Sequence, residues 1–191
     1  MDSCPTQLED YGSLPKTVVL IGLMGAGKTS VGKRLAERLS VNFLDADREI
    51  ESAAGCSISD FFAQFGEEEF RRGEERVIAR LLKEPACVLA TGGGAFMSPD
   101  TRKAIRASAF SIWLKADLDV LFERISRRSD RPLLQTENPR QTLQRIMEQR
   151  YPVYGQADLV IESVRGSVDQ MAERVQQILA EFFKTTEEAR P

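Results

Sequence analysis

The segment G-L-M-G-A-G-K-T-S, which runs from Gly22 to Ser30, indicates how this chain folds and what it binds. It satisfies the pattern G-x-x-x-x-G-K-[ST], in which glycines let backbone N–H groups approach and surround phosphate oxygens. In such a loop Lys28 reaches the β- and γ-phosphates, and the Thr29 hydroxyl is a ligand of Mg²⁺. A glycine-rich turn that matches by chance is the alternative. The residues expected to contact the phosphates are Gly25, Ala26, Gly27, Lys28, Thr29 and Ser30.

The residues on either side of this loop support the same interpretation. Thr17 to Ile21 read T-V-V-L-I and predict a strand that ends where the loop begins. After the loop, Val31, Leu35 and Leu39 recur at intervals of four residues and predict a helix with one apolar face. A helix in this place points the positive end of its dipole at the bound anion. The segment therefore predicts a site for a nucleoside triphosphate.

Composition indicates a globular protein and excludes several classes of function. Of 191 residues, 42% are hydrophobic and 29% are charged, which is ordinary for a single domain. A net charge of −3 argues against a nucleic-acid partner, since nonspecific binding needs a basic face. The longest apolar run, Val18 to Met24, is short for a membrane span, and three separate cysteines favour a reduced, cytoplasmic setting. With no coiled-coil heptads, we expect a monomer.

The chain contains no histidine. This excludes histidine general bases, phosphohistidine intermediates and most zinc sites. Any chemistry must therefore use carboxylates, lysine, arginine, hydroxyl groups and a bound metal ion.

Segments that predict strands and helices alternate from Lys16 onward, which is typical of an α/β fold with a parallel sheet. Helix starts are predicted at Ser98-Pro99, at Asn138-Pro139 and at the capping box of Ser167 and Gln170. The predicted strands are Thr17–Ile21, Val41–Leu44, Cys87–Thr91, Ala109–Leu114 and Leu159–Glu162.

We expect a single domain over residues 16–183. A flexible extension is expected at residues 1–15, and a tail at residues 184–191 lies outside the pattern. The segment from Ser126 to Asn138 is polar and rich in arginine. Long irregular segments in compact domains are commonly lids or binding loops, so this segment is the predicted lid.

Two aspartates, Asp45 and Asp47, follow the second predicted strand. Residues i and i+2 of an extended chain point the same way, so both carboxylates can face a crevice at the carboxyl end of the sheet. One could support Mg²⁺ through its water shell, and the other could accept a proton from a substrate hydroxyl. The alternative is a strand-end turn with solvated aspartates. Since the Cys87–Thr91 strand does not end in an acid, Asp45 is expected to supply the carboxylate near the metal.

Three glycines, Gly92 to Gly94, follow the third predicted strand. They indicate either a sharp structural turn or a group that packs directly on the backbone. Arg71 lies in a helical pattern with Glu74 three residues later on the same face, where the carboxylate can orient the guanidinium. Such a pair can also be exposed and contribute little.

Arginines are concentrated in and after the predicted lid. Arg127, Arg128 and Arg131 lie within it, and Arg150 follows near the end of the next helix. Loop arginines are commonly solvated. In an acidic chain, however, arginines near a phosphate-binding loop favour charge stabilisation during phosphoryl transfer.

Six motifs in this order resemble the shikimate kinase family, over a span from about Lys16 to about Phe182. The resemblance implies a P-loop protein of the nucleoside-monophosphate-kinase type, a three-layer α/β/α fold with a five-stranded parallel sheet. It also implies a substrate-binding subdomain at about residues 45–75 and a lid at about residues 126–138. The motifs are Gly22–Thr29, Asp45 with Asp47, Phe70–Glu74, Gly92–Gly94, Arg131–Leu134 and Arg150–Tyr154.

The resemblance further implies an activity, the transfer of the γ-phosphate of ATP to the 3-hydroxyl of shikimate with Mg²⁺, in aromatic amino-acid biosynthesis. Asp47 is then the base, Asp45 supports Mg²⁺ through water, and Arg131 neutralises charge on the phosphoryl group together with Lys28. Arg71 and Arg150 bind the shikimate carboxylate. The glycines Gly92, Gly93 and Gly94 contact the ring hydroxyls.

For each expected adenine contact the sequence leaves two candidate residues. One is expected from Arg127 or Arg128 at the base of the lid, and another from Arg165 or Ser167. Two other functions are alternatives, another small-metabolite kinase such as a gluconate kinase, and a non-catalytic nucleotide-dependent regulator.

Overall fold

Five parallel strands form the centre of the computed structural model, which describes residues 14–126, 137–163 and 166–188, with side chains through residue 185. The strand order is β2-β3-β1-β4-β5, and every neighbouring pair is parallel. This confirms the predicted five-stranded parallel sheet. The strands are β1 Thr17–Ile21, β2 Phe43–Asp45, β3 Val88–Ala90, β4 Ala109–Lys115 and β5 Leu159–Glu162.

Helices cover both faces of this sheet. The crossover from β1 to β2 runs in one direction across the sheet, and the later crossovers run in the opposite direction. Because such crossovers are right-handed, α1 lies on one face and α2 to α6 lie on the other. Helix α7 packs against α1. The helices are α1 Lys28–Arg38, α2 Ala46–Ala54, α3 Ile58–Leu81, α4 Pro99–Ser108, α5 Leu118–Ser126, α6 Pro139–Tyr154 and α7 Val168–Glu188, with a 3₁₀ turn at Ala95–Met97.

The core lies along the central strands. All five residues of β1 and all three of β3 are buried, because helices cover the sheet on both sides. This explains why T-V-V-L-I reads as a continuous apolar run rather than as an alternating one. In the parts of the chain that the structure describes, no helix is both long and apolar enough to cross a bilayer.

Strand β2 begins two residues later than predicted. Val41 was expected in the strand, but its N–H donates to the carbonyl of Ala36 at 3.0 Å and closes the end of α1. The predicted caps are confirmed, since Ser98, Asn138 and Ser167 each accept a backbone N–H at a helix start. Capping residues therefore predicted the starts of these helices correctly, whereas apolar content misplaced the start of β2.

Several segments for which the sequence made a prediction lie outside the described residues. They are most of the extension at residues 1–15, the end of the tail, and residues 127–136 of the predicted lid. The individual residues concerned are Arg127, Arg128, Arg131 and Arg165.

Candidate active site

A cavity of about 940 Å³ lies at the carboxyl ends of the strands. Its walls come from the loops after β1 and β3, the first turn of α2, parts of α3 and α6, and the start of α7. Ligands of open α/β sheets bind at this end, where parallel strands leave a crevice. The predicted phosphate-binding loop and the predicted substrate residues therefore share one cavity.

The phosphate-binding loop has the backbone that its glycines permit. Gly25 and Gly27 have φ of 82° and 96°, which is the left-handed region where other residues are strained. Gly27 is the N-cap of α1, so the first N–H groups of that helix face the cavity. Nζ of Lys28 donates to the carbonyls of Gly22 and Leu23 at 2.8 and 3.0 Å, which holds the ammonium beside the loop.

Thr29 and Asp45 lie together at the mouth of this loop. The Thr29 hydroxyl donates to Oδ2 of Asp45 at 2.9 Å, although the two residues are sixteen positions apart. A hydroxyl and a carboxylate are oxygen ligands that suit Mg²⁺, which commonly takes only one or two groups from protein and the rest from phosphates and water. Among the described residues no group of three or more acidic or cysteine side chains is placed to hold a metal alone. The pair therefore fits a Mg²⁺ that arrives with a nucleotide.

Asp47 faces the same cavity, but for a different reason from the one predicted. The extended chain ends at Asp45, which caps α2, and Asp47 is in the first turn of that helix. Its N–H donates to Oδ1 of Asp45 at 3.2 Å. The i, i+2 argument for two strand carboxylates is thus wrong. The two aspartates are brought together by a helix cap, which also directs positive potential from the helix end toward them.

Arg71 and Glu74 form a pair in the wall of the cavity. Nη1 of Arg71 lies 2.7 Å from Oε2 of Glu74, whose side chain is only 2% exposed. The alternative of a solvated surface pair is therefore wrong. A kink at Gly66, where φ is 80°, separates this part of α3 from its first two turns.

Arg150 reaches the cavity from α6. Its Nη1 donates to the carbonyl of Gly93 at 2.9 Å. Arg71 comes from α3, and its guanidinium lies against Gly94, so the two guanidinium groups converge on one short stretch of backbone. The sequence predicted both arginines, and the structure brings them together.

The three glycines after β3 leave room for side chains from other elements. A Cβ built on Gly92 would lie 2.7 Å from Oδ1 of Asp47 and 2.7 Å from Oε1 of Glu74. A Cβ on Gly93 would lie 3.2 Å from Nη1 of Arg150, and one on Gly94 would lie 2.5 Å from Cζ of Arg71. None of the three has a left-handed backbone. Side chains from α2, α3 and α6 therefore pack directly on this backbone, which also turns at Gly93 and Gly94, so both interpretations apply.

The family model described as shikimate kinase matches residues 24–182. The chain belongs to the shikimate kinase family.

Relatives in this family are similar over most of their length. A shikimate kinase of Cereibacter sphaeroides is 56% identical over 167 residues, which cover 87% of this chain and 84% of that protein. One of Paramagnetospirillum magneticum is 56% identical over 152 residues, 80% of this chain and 78% of that protein. The structure of shikimate kinase from Acinetobacter baumannii in complex with shikimate has a TM-score of 0.86 and 36% identity, and the match covers 91% of this chain and 97% of that one.

Membership in the shikimate kinase family confirms the resemblance and the prediction of an ATP-dependent kinase. Of the six motifs, Arg131–Leu134 lies outside the described residues. Residues from each of the other five line the cavity.

Two residues on the donor side of this shikimate kinase family member were not predicted. Nη1 of Arg124 donates to the carbonyl of Gly25 at 3.2 Å and to Oγ of Ser163 at 3.0 Å. The Ser163 hydroxyl donates to the carbonyl of Ala26 at 3.1 Å. Together they connect α5 and the end of β5 to the phosphate-binding loop. Their sequence neighbourhoods are an ordinary helix and strand end, so no local signal marked them. Ser167, one of the predicted adenine-side candidates, also lines the cavity.

Glu74 is a buried acidic residue, and burial disfavours the charged form of its side chain. Burial raises the pKa of its carboxyl, an effect that Arg71 partly opposes and Asp47 increases. Its Oε1 makes no hydrogen bond with any described residue. A buried carboxylate that is only half satisfied costs free energy of folding.

This pKa predicts how stability depends on pH. In the folded state Glu74 keeps its proton to a higher pH than in the unfolded state, where its pKa is about 4.3. Its contribution to stability is then fully present below the unfolded pKa and is lost as pH rises through the folded pKa. We expect the free energy of unfolding of wild type, relative to Glu74→Gln, to fall as the pH rises from the ordinary glutamate pKa of about 4.3. Urea unfolding of both proteins at a series of pH values measures it.

The exposed Glu68→Gln on the same helix controls for the loss of one negative charge. A stability difference between wild type and Glu74→Gln that stays constant or rises with pH contradicts the assignment.

Proposed function

We propose that the cavity catalyses transfer of the γ-phosphate of ATP to the 3-hydroxyl of shikimate. One observation carries the proposal. Two arginines from different helices converge on a glycine turn beside Asp47, and that turn adjoins a phosphate-binding loop, since a Cβ on Gly93 would lie 3.6 Å from the carbonyl of Gly22. The cavity thus places a clamp for an anion and an acceptor for a hydroxyl proton within reach of the phosphate donor.

The arginine pair suits a carboxylate. A planar guanidinium presents parallel N–H groups that match the two oxygens of a carboxylate. Arg71 is oriented by Glu74, and Arg150 by the Gly93 carbonyl. Because both are anchored before the substrate arrives, little side-chain entropy is lost on binding. This pair explains how a protein with a net charge of −3 accepts a small acid.

Asp47 suits the role of base at the reacting hydroxyl. An aspartate is a weak base at neutral pH, so its first contribution is to orient the hydroxyl toward the phosphoryl group. It takes the proton late, since phosphoryl transfer has a loose transition state in which positioning and charge stabilisation dominate.

The donor half consists of Gly25 to Ser30. In this proposal their N–H groups and Lys28 bind the β- and γ-phosphates, while Thr29 and Asp45 hold Mg²⁺, Asp45 through water. The metal ion supplies charge neutralisation on the phosphate oxygens when it is bound.

Three further residues complete the proposed site. Arg131, outside the described residues, supplies a lid charge to the transferring group. We assign the adenine contact at the base of the lid to Arg124 in place of Arg127 or Arg128. Arg124 contacts the phosphate-binding loop at Gly25 and lines the cavity. Ser167 supplies a contact on the adenine side. We further propose that the protein acts as a cytoplasmic monomer with no nucleic-acid or membrane partner, in the aromatic amino-acid pathway.

An assay of ADP release tests the function. We expect turnover to require shikimate and Mg²⁺, and we expect gluconate to give a rate close to the background hydrolysis of ATP. Folded protein that binds ATP but shows no shikimate-dependent turnover contradicts the proposal. Turnover with gluconate alone favours the alternative small-metabolite kinase, and nucleotide binding without transfer to either acid favours a regulator.

A further inference from the structure

Tyr154 is a buried polar side chain that the roles above do not use. It is the last residue of α6, its side chain is fully buried, and its hydroxyl donates to the carbonyl of Gly93. Burial raises the pKa of this phenol, an effect that the nearby Arg150 partly opposes. A phenol is in any case protonated at neutral pH and can donate a hydrogen bond. Its ring packs edge-on against Phe96 and Trp113, which fixes the direction of the hydroxyl.

The same carbonyl is the anchor of Arg150. Gly93 O accepts from the Tyr154 hydroxyl and from Nη1 of Arg150, one donor for each of its two lone pairs. The two donors are four residues apart and therefore project from the same face of α6. Helix α6 thus fixes both the arginine and the backbone group to which that arginine binds.

The carbonyl needs such a restraint because of its neighbours. Gly93 lies between Gly92 and Gly94, and glycine backbones are the least restricted of all residues. The carbonyls of Gly92 and Gly94 accept the N–H groups of Ala95 and Met97, whereas the glycine backbone by itself does little to fix the Gly93 carbonyl. A hydroxyl held by a packed aromatic ring restrains it, whereas Arg150 alone is a longer and more flexible partner.

We propose that Tyr154 is a positioning residue for substrate binding, which acts by holding the Gly93 carbonyl in the orientation that anchors Arg150. This inference rests on the proposed function, since it assumes that Arg150 binds the substrate carboxylate. Tyr154 itself does not touch the substrate.

The chain offers a matched control. Tyr151 lies one turn earlier on α6, packs against the same Trp113, and donates its hydroxyl to the carbonyl of Ala116. Tyr154→Phe and Tyr151→Phe each remove one hydroxyl from a backbone carbonyl. Only Tyr154→Phe removes it from the carbonyl that holds Arg150.

Steady-state kinetics of the two variants test the inference. Tyr154→Phe is expected to raise KM for shikimate about five- to tenfold, the equivalent of one hydrogen bond, with little change in KM for ATP or in kcat. Tyr151→Phe is expected to leave all three constants within about twofold of wild type, although both variants lose stability. Equal effects of the two variants on KM for shikimate overturn the inference, because they indicate a structural role only.

A double-variant cycle identifies the residue through which Tyr154 acts. In an Arg150→Ala background, Tyr154→Phe is expected to add less than about twofold to KM for shikimate, because the group that it positions is gone. An unchanged fivefold or larger effect in that background overturns the inference. Failure of the proposed function is distinguishable, since it appears as absence of shikimate-dependent turnover in wild type before any variant is made.

Discussion

Asp47→Asn is expected to lower kcat by about two to four orders of magnitude while ATP binding stays close to that of wild type. Asparagine has nearly the size of aspartate, so the first turn of α2 and the cap at Asp45 can persist. Its amide cannot take the proton of the substrate hydroxyl. Because Thr29 and Asp45 remain paired, the donor half is unchanged. Coupled ADP release measures kcat, and titration with a non-hydrolysable ATP analogue measures nucleotide affinity.

Asp100→Asn is the matched control. Asp100 occupies the same position of α4, the second residue after the cap, and its side chain is 79% exposed. Both changes remove one negative charge from a helix N-terminus, where it contributes about 0.3 to 1 kcal/mol. Only Asp47 faces the cavity. Near-normal turnover of Asp47→Asn would remove this residue from the mechanism, and a loss of ATP affinity would place it on the donor side.

Gly94→Ala is expected to raise KM for shikimate by about ten- to a hundredfold, which corresponds to one or two hydrogen bonds to a charged group. The new methyl group would lie 2.5 Å from Cζ of Arg71, well inside the normal contact distance of about 3.5 Å. The guanidinium is the far end of a flexible side chain, so it can move away, although it then loses its pairing with the buried Glu74 carboxyl. It then no longer points at the substrate. We expect KM for ATP to change little.

Gly73→Ala provides the comparison for this change. Gly73 lies two residues from Arg71 in α3, and a Cβ there would meet no other atom within 4 Å. Alanine in a helix is more favourable than glycine by about 0.5 to 1 kcal/mol, so Gly73→Ala is expected to raise the midpoint of urea unfolding without a change in KM. If Gly94→Ala and Gly73→Ala have the same KM for shikimate, Arg71 does not depend on contact with the glycine turn.

Much of the donor half could be predicted from local sequence. Gly22 to Ser30 form a phosphate-binding loop because the chemistry of the loop is contained in nine consecutive residues. The strand before the loop was predicted from a short apolar run, and the helix after it from apolar residues at intervals of four. Helix starts at Ser98, Asn138 and Ser167 were predictable for the same reason, since a cap acts on backbone within three residues of itself.

Residues that act across long sequence separations carried weaker signals. Arg124 and Ser163 bind the loop carbonyls from positions about 100 and 137 residues away, and nothing in their own helix or strand end marks them. Asp47 was predicted correctly as a cavity residue from an incorrect local geometry, because strand β2 ends at Asp45 and a helix begins at once.

The glycine turn after β3 shows most clearly what local sequence predicts and what only the tertiary structure decides. Three consecutive glycines indicate that the backbone after β3 either turns sharply or has another group packed directly on it. Whether a group packs on it depends on Asp47, Glu74, Arg71 and Arg150, which reach the turn from three different helices. Local patterns thus determined the helix caps and the phosphate-binding loop, because their contacts form between near neighbours. Apolar runs marked most of the strands, although the hydrogen bonds of the parallel sheet join residues far apart in the sequence. The clamp was decided by tertiary packing, since only the folded sheet brings those helices to one turn.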